Sequence, residues 1–213
     1  MQLKGNGRKN LKHRSKFIYL ISPNKIDAFF YNDLISVLKT RSVGYFQLRL
    51  KQVTENKILK VSKKIKKICK KFKVKFILND SPLIAKKVGA DGCHLGQNDM
   101  NIKDAKKILK KKIIGVTCHN SIRLAKLAIQ SKADYIAIGA FNNSITKKVR
   151  FKATIRDLQK IRKISRKPII AIGGINEKNY KKLLLNKADF LAISSFVWKN
   201  KKLKPIEAIH KLK

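Results

Sequence analysis

The sequence predicts a single-domain α/β protein, a (β/α)8 barrel of the TIM type, on three observations. Eight short apolar runs alternate with amphipathic stretches along 213 residues. The connections between them are uniformly short, and polar or glycine residues follow nearly every run, where an open doubly wound sheet would gather them at one switch point. No G-x-G-x-x-G follows the first run and no Walker-type loop is present, which argues against a nucleotide-binding Rossmann domain.

Taken in order, residues 1–15 are polar and basic, with Gly5 and Gly7 and no apolar period, and read as a flexible lead-in to a barrel over 16–213. The candidate strands are Phe17–Ile21, Tyr45–Leu50, Val74–Leu78, Gly92–Leu95, Ile113–Val116, Tyr135–Ile138, Pro168–Ile172 and Phe190–Ile193. Each has the length of a buried strand. Ile, Val and Phe without polar alternation fit parallel strands covered on both faces. Between the runs, Val53–Phe72 sets Ile58, Leu59, Val61, Ile65, Ile68 and Phe72 at helical spacing opposite a lysine face. Residues 121–130 carry Ile122, Leu124, Ala125, Leu127, Ala128 and Ile129, with Asn120 or Ser121 placed to cap that helix. Residues 153–165 repeat the pattern with Ile155, Leu158, Ile161 and Ile164.

Composition narrows the class. An apolar share of 44% suits a packed core, and no apolar run reaches the length of a membrane span. Phe17–Ile21 is too short for the core of a signal peptide, so a cytoplasmic setting is expected. Cys69, Cys93 and Cys118 match no zinc spacing and read as reduced thiols; in Cys93-His94 and Cys118-His119 adjacent side chains point to opposite faces of a strand. The formal charge of +40, from 52 basic against 12 acidic residues, would attract phosphorylated small molecules, nucleic acid or anionic lipid. The excess is mostly lysine spread along the chain, as in Lys63–Lys71 and Lys106–Lys112, and it accompanies many Ile and Asn, all favoured by AT-rich codons. Such runs form solvated helix faces, so compositional drift is preferred to a dedicated nucleic-acid surface, and weak, salt-sensitive binding is a side effect.

A barrel's active site is built at the C-terminal ends of its strands. The second run ends with Gln47, Arg49 and Lys51 on one face by the period of two, which is costly unless they serve a ligand or an ion pair. The third ends in Asn79-Asp80, and the fourth runs through His94 to Asp99. Two carboxylates at neighbouring strand ends, together with phosphate oxygens, are a ligand set that suits Mg2+; the alternative is that each caps the following helix. The fifth ends with Thr117, and a loop with Ser144, Thr146 and Lys147 follows the sixth, where hydroxyls and a lysine suit phosphate. Gly173-Gly174 follows the seventh run and Ser194 the eighth, the loops that often hold phosphate in this architecture, although a tight turn also explains paired glycines. The chain therefore presents two anion sites. One combines Arg49, Lys51, Asn79 and a metal on Asp80 and Asp99; the other combines Ser144, Thr146, Gly174 and Ser194. A pyrophosphate and a phosphate would fill both.

These residues resemble the thiamine-phosphate synthase family. The resemblance rests on Gln-Leu-Arg-Leu-Lys at 47–51, Asn79-Asp80, Gly-Ala-Asp-Gly-Cys-His-Leu-Gly-Gln-Asn-Asp at 89–99, Gly-Val-Thr-Cys-His-Asn at 115–120, Ala-Asp-Tyr at 133–135 with Gly139, Thr146-Lys147 and Ala-Ile-Gly-Gly-Ile-Asn at 171–176, in order over about 17–200. It implies that Gln47 contacts an aminopyrimidine, that Arg49, Lys51, Asn79 and Lys147 hold its pyrophosphate, and that Asp80 and Asp99 bind Mg2+. Thr117 stands where the family usually has serine near the leaving group, and His94 matches a histidine beside the metal loop. Ser144 and Thr146, with backbone at Gly174 and Ser194, would take a thiazole phosphate. The implied reaction is dissociative and electrostatic, with Arg49, Lys51, Thr117 and Lys147 acting on the leaving group. The implied partners are the two phosphorylated substrates, with no membrane and no specific nucleic acid; a homo-oligomer is left open. Three places depart from the family: Leu50 replaces a usual glutamate, Ala140 a usual proline, and Asn142-Asn143-Ser144-Ile145 loosely replaces an aromatic-Pro-Thr-Glu loop. Thiazole tautomerase-like paralogues share the barrel and tend to lose the metal aspartate; Asp99 favours the synthase, while His119 keeps the paralogue open.

Overall fold

A computed structural model describes residues 16–143 and 151–213. Eight parallel strands close into a barrel in chain order: β1 (Ile18–Ile21), β2 (Val43–Leu48), β3 (Lys75–Asn79), β4 (Gly92–Leu95), β5 (Ile113–His119), β6 (Tyr135–Gly139), β7 (Ile169–Ile172) and β8 (Phe190–Ile193). Closure is made by β1 against β8, with Ile18 opposite Leu191 and Leu20 opposite Ile193. All eight predicted runs are strands. The longest departure is β5, which continues to His119 through an irregular register against β6 between Thr117 and His119. That bulge lets the strand carry polar side chains beyond the apolar run that marked it.

The helices form an outer layer: α1 (Phe30–Lys39), α2 (Glu55–Lys71), α3 (Pro82–Val88), α4 (Ile102–Leu109), α5 (Ile122–Gln130), α6 (Ile155–Ile164), α7 (Tyr180–Leu185), α8 (Ser195–Trp198) and α9 (Pro205–His210). On α2 the buried residues Val61, Ile65 and Cys69 recur every four positions, and Lys63, Lys64, Lys66, Lys67 and Lys70 are exposed. The lysine run is thus a solvated helix face. Ser121, one of the two predicted caps, accepts from the Leu124 amide at 3.2 Å and starts α5. Among the described residues no helix is long and apolar enough to cross a membrane.

Alternation along the strands creates two cores. The larger lies between barrel and helices and takes Cys69, Cys93 and Cys118, all buried, whose thiols are pushed up by burial, Cys118 to about 12. The smaller fills the barrel with Tyr19, Ile21, Ile77, Tyr135, Ala137, Ile170 and Ala192. Gly115 faces this space; a Cβ there would fall inside the Tyr135 ring, so the glycine makes the hole that the tyrosine fills.

At the N-terminal ends of the strands one device occurs three times. Ala90-Asp91, Ala133-Asp134 and Ala188-Asp189 each follow a residue with positive φ: Gly89 (62°), Lys132 (61°) and Lys187 (70°). The alanine is buried, and the aspartate accepts from an amide at the start of a neighbouring strand: Phe76, Ile114 and Ile169, each at 2.8 Å. Asp134 and Asp189 also pair with Lys106 and Arg162. These carboxylates satisfy strand amides that begin the sheet and have no preceding ladder partner.

Candidate active site

The polar residues converge at the opposite, C-terminal mouth. On β2, Gln47 is only 2% exposed and donates from Nε2 to Asn79 Oδ1 at the end of β3 (3.0 Å). The register explains this: Gln47 lies opposite Ile77, and Asn79 is one inward step further along β3. Past β2, the Arg49 amide donates to Ser22 Oγ (2.9 Å), which fixes the backbone after β2 to that after β1. The Arg49 guanidinium reaches Asn24 Oδ1 (3.3 Å). Lys51 pairs with Asp80. Leu50 between them packs against the outer core, and because β2 ends at Leu48, Arg49 and Lys51 lie past the strand and not on a strand face with Gln47 as the period of two predicts.

Neither carboxylate is a helix cap. Ser81 accepts from the Ile84 amide to start α3, and Asn101 accepts from the Asp104 amide to start α4. Asp80 sits just past β3 with φ of 68°, a left-handed conformation that aspartate tolerates, and its amide donates to the His94 carbonyl (2.8 Å). Asp99 accepts from the Gly96 amide (2.6 Å), closing the loop after β4. The two carboxyl groups contact each other. Burial raises Asp99 above the usual carboxylate range and the Asp80 charge adds to that, while the Gly96 amide pulls it down. Among the described residues Lys51 is the cation recorded at this pair. A divalent cation would relieve two neighbouring carboxylates, and oxygen donors of this kind suit Mg2+. Among the described residues no cluster of three or more His, Cys, Asp and Glu forms a metal cage.

On the inner face, His94 joins Thr117 on β5 through Nε2–Oγ1 (2.9 Å) and Tyr135 on β6 through Nδ1–Oη (2.9 Å). Tyr135 in turn meets Tyr19 Oη at 2.7 Å. Packing around the His94 ring lowers its pKa from 6.5 to about 4, the burial outweighing the opposing pull of Asp80, so the imidazole is neutral at pH 7. Burial raises both tyrosines well above their usual value and keeps them protonated. Gln97 reaches the Thr117 carbonyl.

The second anion site is described in part. Ser144, Thr146 and Lys147 lie outside the described residues. Gly174 has φ of 58°, and a Cβ there would strike the Asn143 carbonyl and Asn142, so the glycine is needed both for the turn and for close approach to the loop after β6. Paired glycines after the seventh run suggest a helix N-terminus there. Instead residues 175–179 intervene and α7 begins at Tyr180, because Asn179 folds back to Gly174 O (2.9 Å) and to the Asn176 amide (3.0 Å). Ser194 Oγ donates to Ser22 O (3.2 Å), leaving its backbone rather than its hydroxyl for a ligand. His119, with φ of 53°, lies beside Phe151, ring centroids 4.3 Å apart.

The structure thus brings together Gln47, Asn79, Asp80, Asp99, Lys51 and Thr117. The residues not anticipated are Tyr19, Tyr135, Ser22, Asn24 and Gln97. Tyr135 ends the Ala-Asp-Tyr segment at 133–135, but a tyrosine in an apolar run reads as core.

Comparison with known proteins gives a consistent result. The family model described as thiamine monophosphate synthase matches residues 18–197. A curated thiamine-phosphate synthase from Pelagibacter ubique is 61% identical over 206 residues, covering 96% of this chain and all of that protein. One from Erythrobacter litoralis is 37% identical, covering 90% and 92%. Among solved structures, a thiamine phosphate pyrophosphorylase from Pyrococcus furiosus superposes with a TM-score of 0.82 at 27% identity, covering 95% and 96%.

Proposed function

The chain belongs to the thiamine monophosphate synthase family, and from that premise we propose that its barrel mouth joins 4-amino-2-methyl-5-hydroxymethylpyrimidine pyrophosphate to hydroxyethylthiazole phosphate, releasing pyrophosphate. The observation that carries this reading is the pair Asp80 and Asp99, free of capping duty, beside Lys51. The C–O bond between the pyrimidine methylene and pyrophosphate breaks with its electron pair going to oxygen. The thiazole nitrogen then donates its lone pair to the methylene carbon. Mg2+, held by Asp80 and Asp99, would supply charge neutralisation for the departing pyrophosphate.

The chain's own groups do the rest. Gln47, held by Asn79, offers its remaining amide atoms to the aminopyrimidine edge. Arg49 and Lys51 set cations where negative charge grows, a preorganised field that needs no rearrangement during bond breaking. Thr117 donates to the leaving group from β5, and Lys147 acts on it from the loop after β6. Ser144 and Thr146, with the backbone at Gly174 and Ser194, take the thiazole phosphate. No general base is required, which accords with a neutral His94 that is engaged on both nitrogens. The buried reduced thiols support a cytoplasmic setting.

The metal assignment is tested by thermal unfolding with inorganic pyrophosphate, with and without Mg2+. Mg2+ is expected to raise the melting temperature of the wild type and not of Asp99→Asn. An equal rise in both would place the metal elsewhere.

A further inference from the structure

Tyr19, Tyr135, His94 and Thr117 form one hydrogen-bonded line from inside the barrel to its mouth, with steps of 2.7, 2.9 and 2.9 Å. Both tyrosines are 2% exposed, and the Tyr135 ring stacks on His94 at 5.7 Å with an interplanar angle of 14°. The reaction above uses only the outer end of this line.

Counting protons gives the line a direction. Each hydroxyl has one proton to donate, and a neutral imidazole has one N–H. Among the described residues Tyr135 is the recorded hydrogen-bond partner of Tyr19 Oη. If the line ran inward, with Thr117 donating to Nε2 and Nδ1–H to Tyr135, the Tyr19 proton would be buried with no recorded acceptor. An unpaired buried donor is unfavourable. A protonated imidazole would orphan the same proton, because Tyr135 would again have to donate to Tyr19. Run outward, Tyr19 donates to Tyr135, Tyr135 to Nδ1, and Nε2–H to Thr117 Oγ1. Every inner proton then has an acceptor, and the Thr117 hydroxyl proton is the one left over, at the mouth.

We propose that Tyr135, held by Tyr19, is a positioning residue that locks His94 as the Nε2–H tautomer and thereby turns the Thr117 hydroxyl outward as a donor to the pyrophosphate leaving group. This deepens the functional reading above and rests on it. The benefit is preorganisation: a donor already aimed at the developing charge does not have to abandon an inward partner first. Gly115 belongs to the same device, since its missing side chain is what admits the Tyr135 ring beside His94.

The test uses the full chain labelled with 15N-histidine, the His94 signals being assigned by their loss in His94→Gln. The wild type is expected to show a pyridine-type Nδ1 and a protonated Nε2. Tyr135→Phe should give a mixture of tautomers and lower kcat about tenfold, the worth of one hydrogen bond made in the transition state, with KM nearly unchanged. Tyr19→Phe should act in the same direction more weakly. Thr117→Ser should keep most of the rate and Thr117→Val should lose it. In the Thr117→Val background, Tyr135→Phe should have no further effect, because the tyrosine acts through that hydroxyl. A wild-type Nδ1–H tautomer would overturn the proposal. So would a Tyr135→Phe loss that is undiminished in the Thr117→Val background, or no loss at all. Absence of turnover in the wild type would count against the reaction itself, and the tautomer spectrum would still decide the direction of the line.

Discussion

At the N-terminal ends of the strands, Asp91, Asp134 and Asp189 each accept a strand amide at 2.8 Å, and two of them also hold a basic side chain from the helix layer. At the C-terminal ends, Asp80 and Asp99 face each other, and burial leaves Asp99 harder to ionise than an ordinary carboxylate. The first set is tied to amides of neighbouring strands; the second has Lys51 on Asp80 and the Gly96 amide on Asp99, yet still sets one carboxylate against another. In a chain with 12 acidic residues the difference teaches how to separate structural from functional carboxylates. The separation comes from what each one accepts, since spacing treats both alike.

Substitutions at the two ends should separate the same way. The largest effect is expected from Asp99→Asn at the mouth, which should cut the rate of pyrophosphate release by about 100-fold or more through loss of transition-state charge stabilisation. Its melting temperature without Mg2+ should be equal to or above that of the wild type, since a strained charge is removed. Full activity in this variant would dissolve the distinction.

A second effect comes from pH. The His94 pKa is depressed in the fold, so the unfolded chain binds its proton more readily between pH about 6.5 and about 4. Stability therefore rises with pH across that window and is lost as pH falls through it, by at most about 3 kcal/mol. Urea unfolding at several pH values should show this slope in the wild type and a flatter one in His94→Gln. Identical slopes would mean that the imidazole is not held neutral.

At the other end, Asp134→Ala should lower stability by about 1–3 kcal/mol, because it leaves the Ile114 amide buried and frees Lys106. Its kcat, measured below the unfolding transition, should be unchanged. A loss of kcat with intact stability would show that the two ends are coupled.

The contrast also marks what the sequence made legible. All eight strands were readable because parallel strands buried on both faces leave unbroken apolar runs, and the helices near 53–72, 121–130 and 153–165 because apolar residues recur there at helical spacing. Gln47, Asn79, Asp80 and Asp99 stood out because polar residues at the ends of such runs have no packing reason to be there. The line from Tyr19 to Thr117 did not, since Tyr19 and Tyr135 are 116 positions apart and each fits its run as core. The repeated Ala-Asp device was hidden for a different reason. Its function is to receive an amide from another strand, which no local pattern records. After Gly174 the helix is not where paired glycines suggest: the Asn179 side chain, folding back, delays it to Tyr180.

The most direct measurement is pyrophosphate release from the aminopyrimidine pyrophosphate, with and without thiazole phosphate and with and without Mg2+. Release is expected only when both are present, with thiamine phosphate as the product. Folded protein that releases none, or that releases it equally without Mg2+, would contradict the assignment of Asp80 and Asp99 to a catalytic metal.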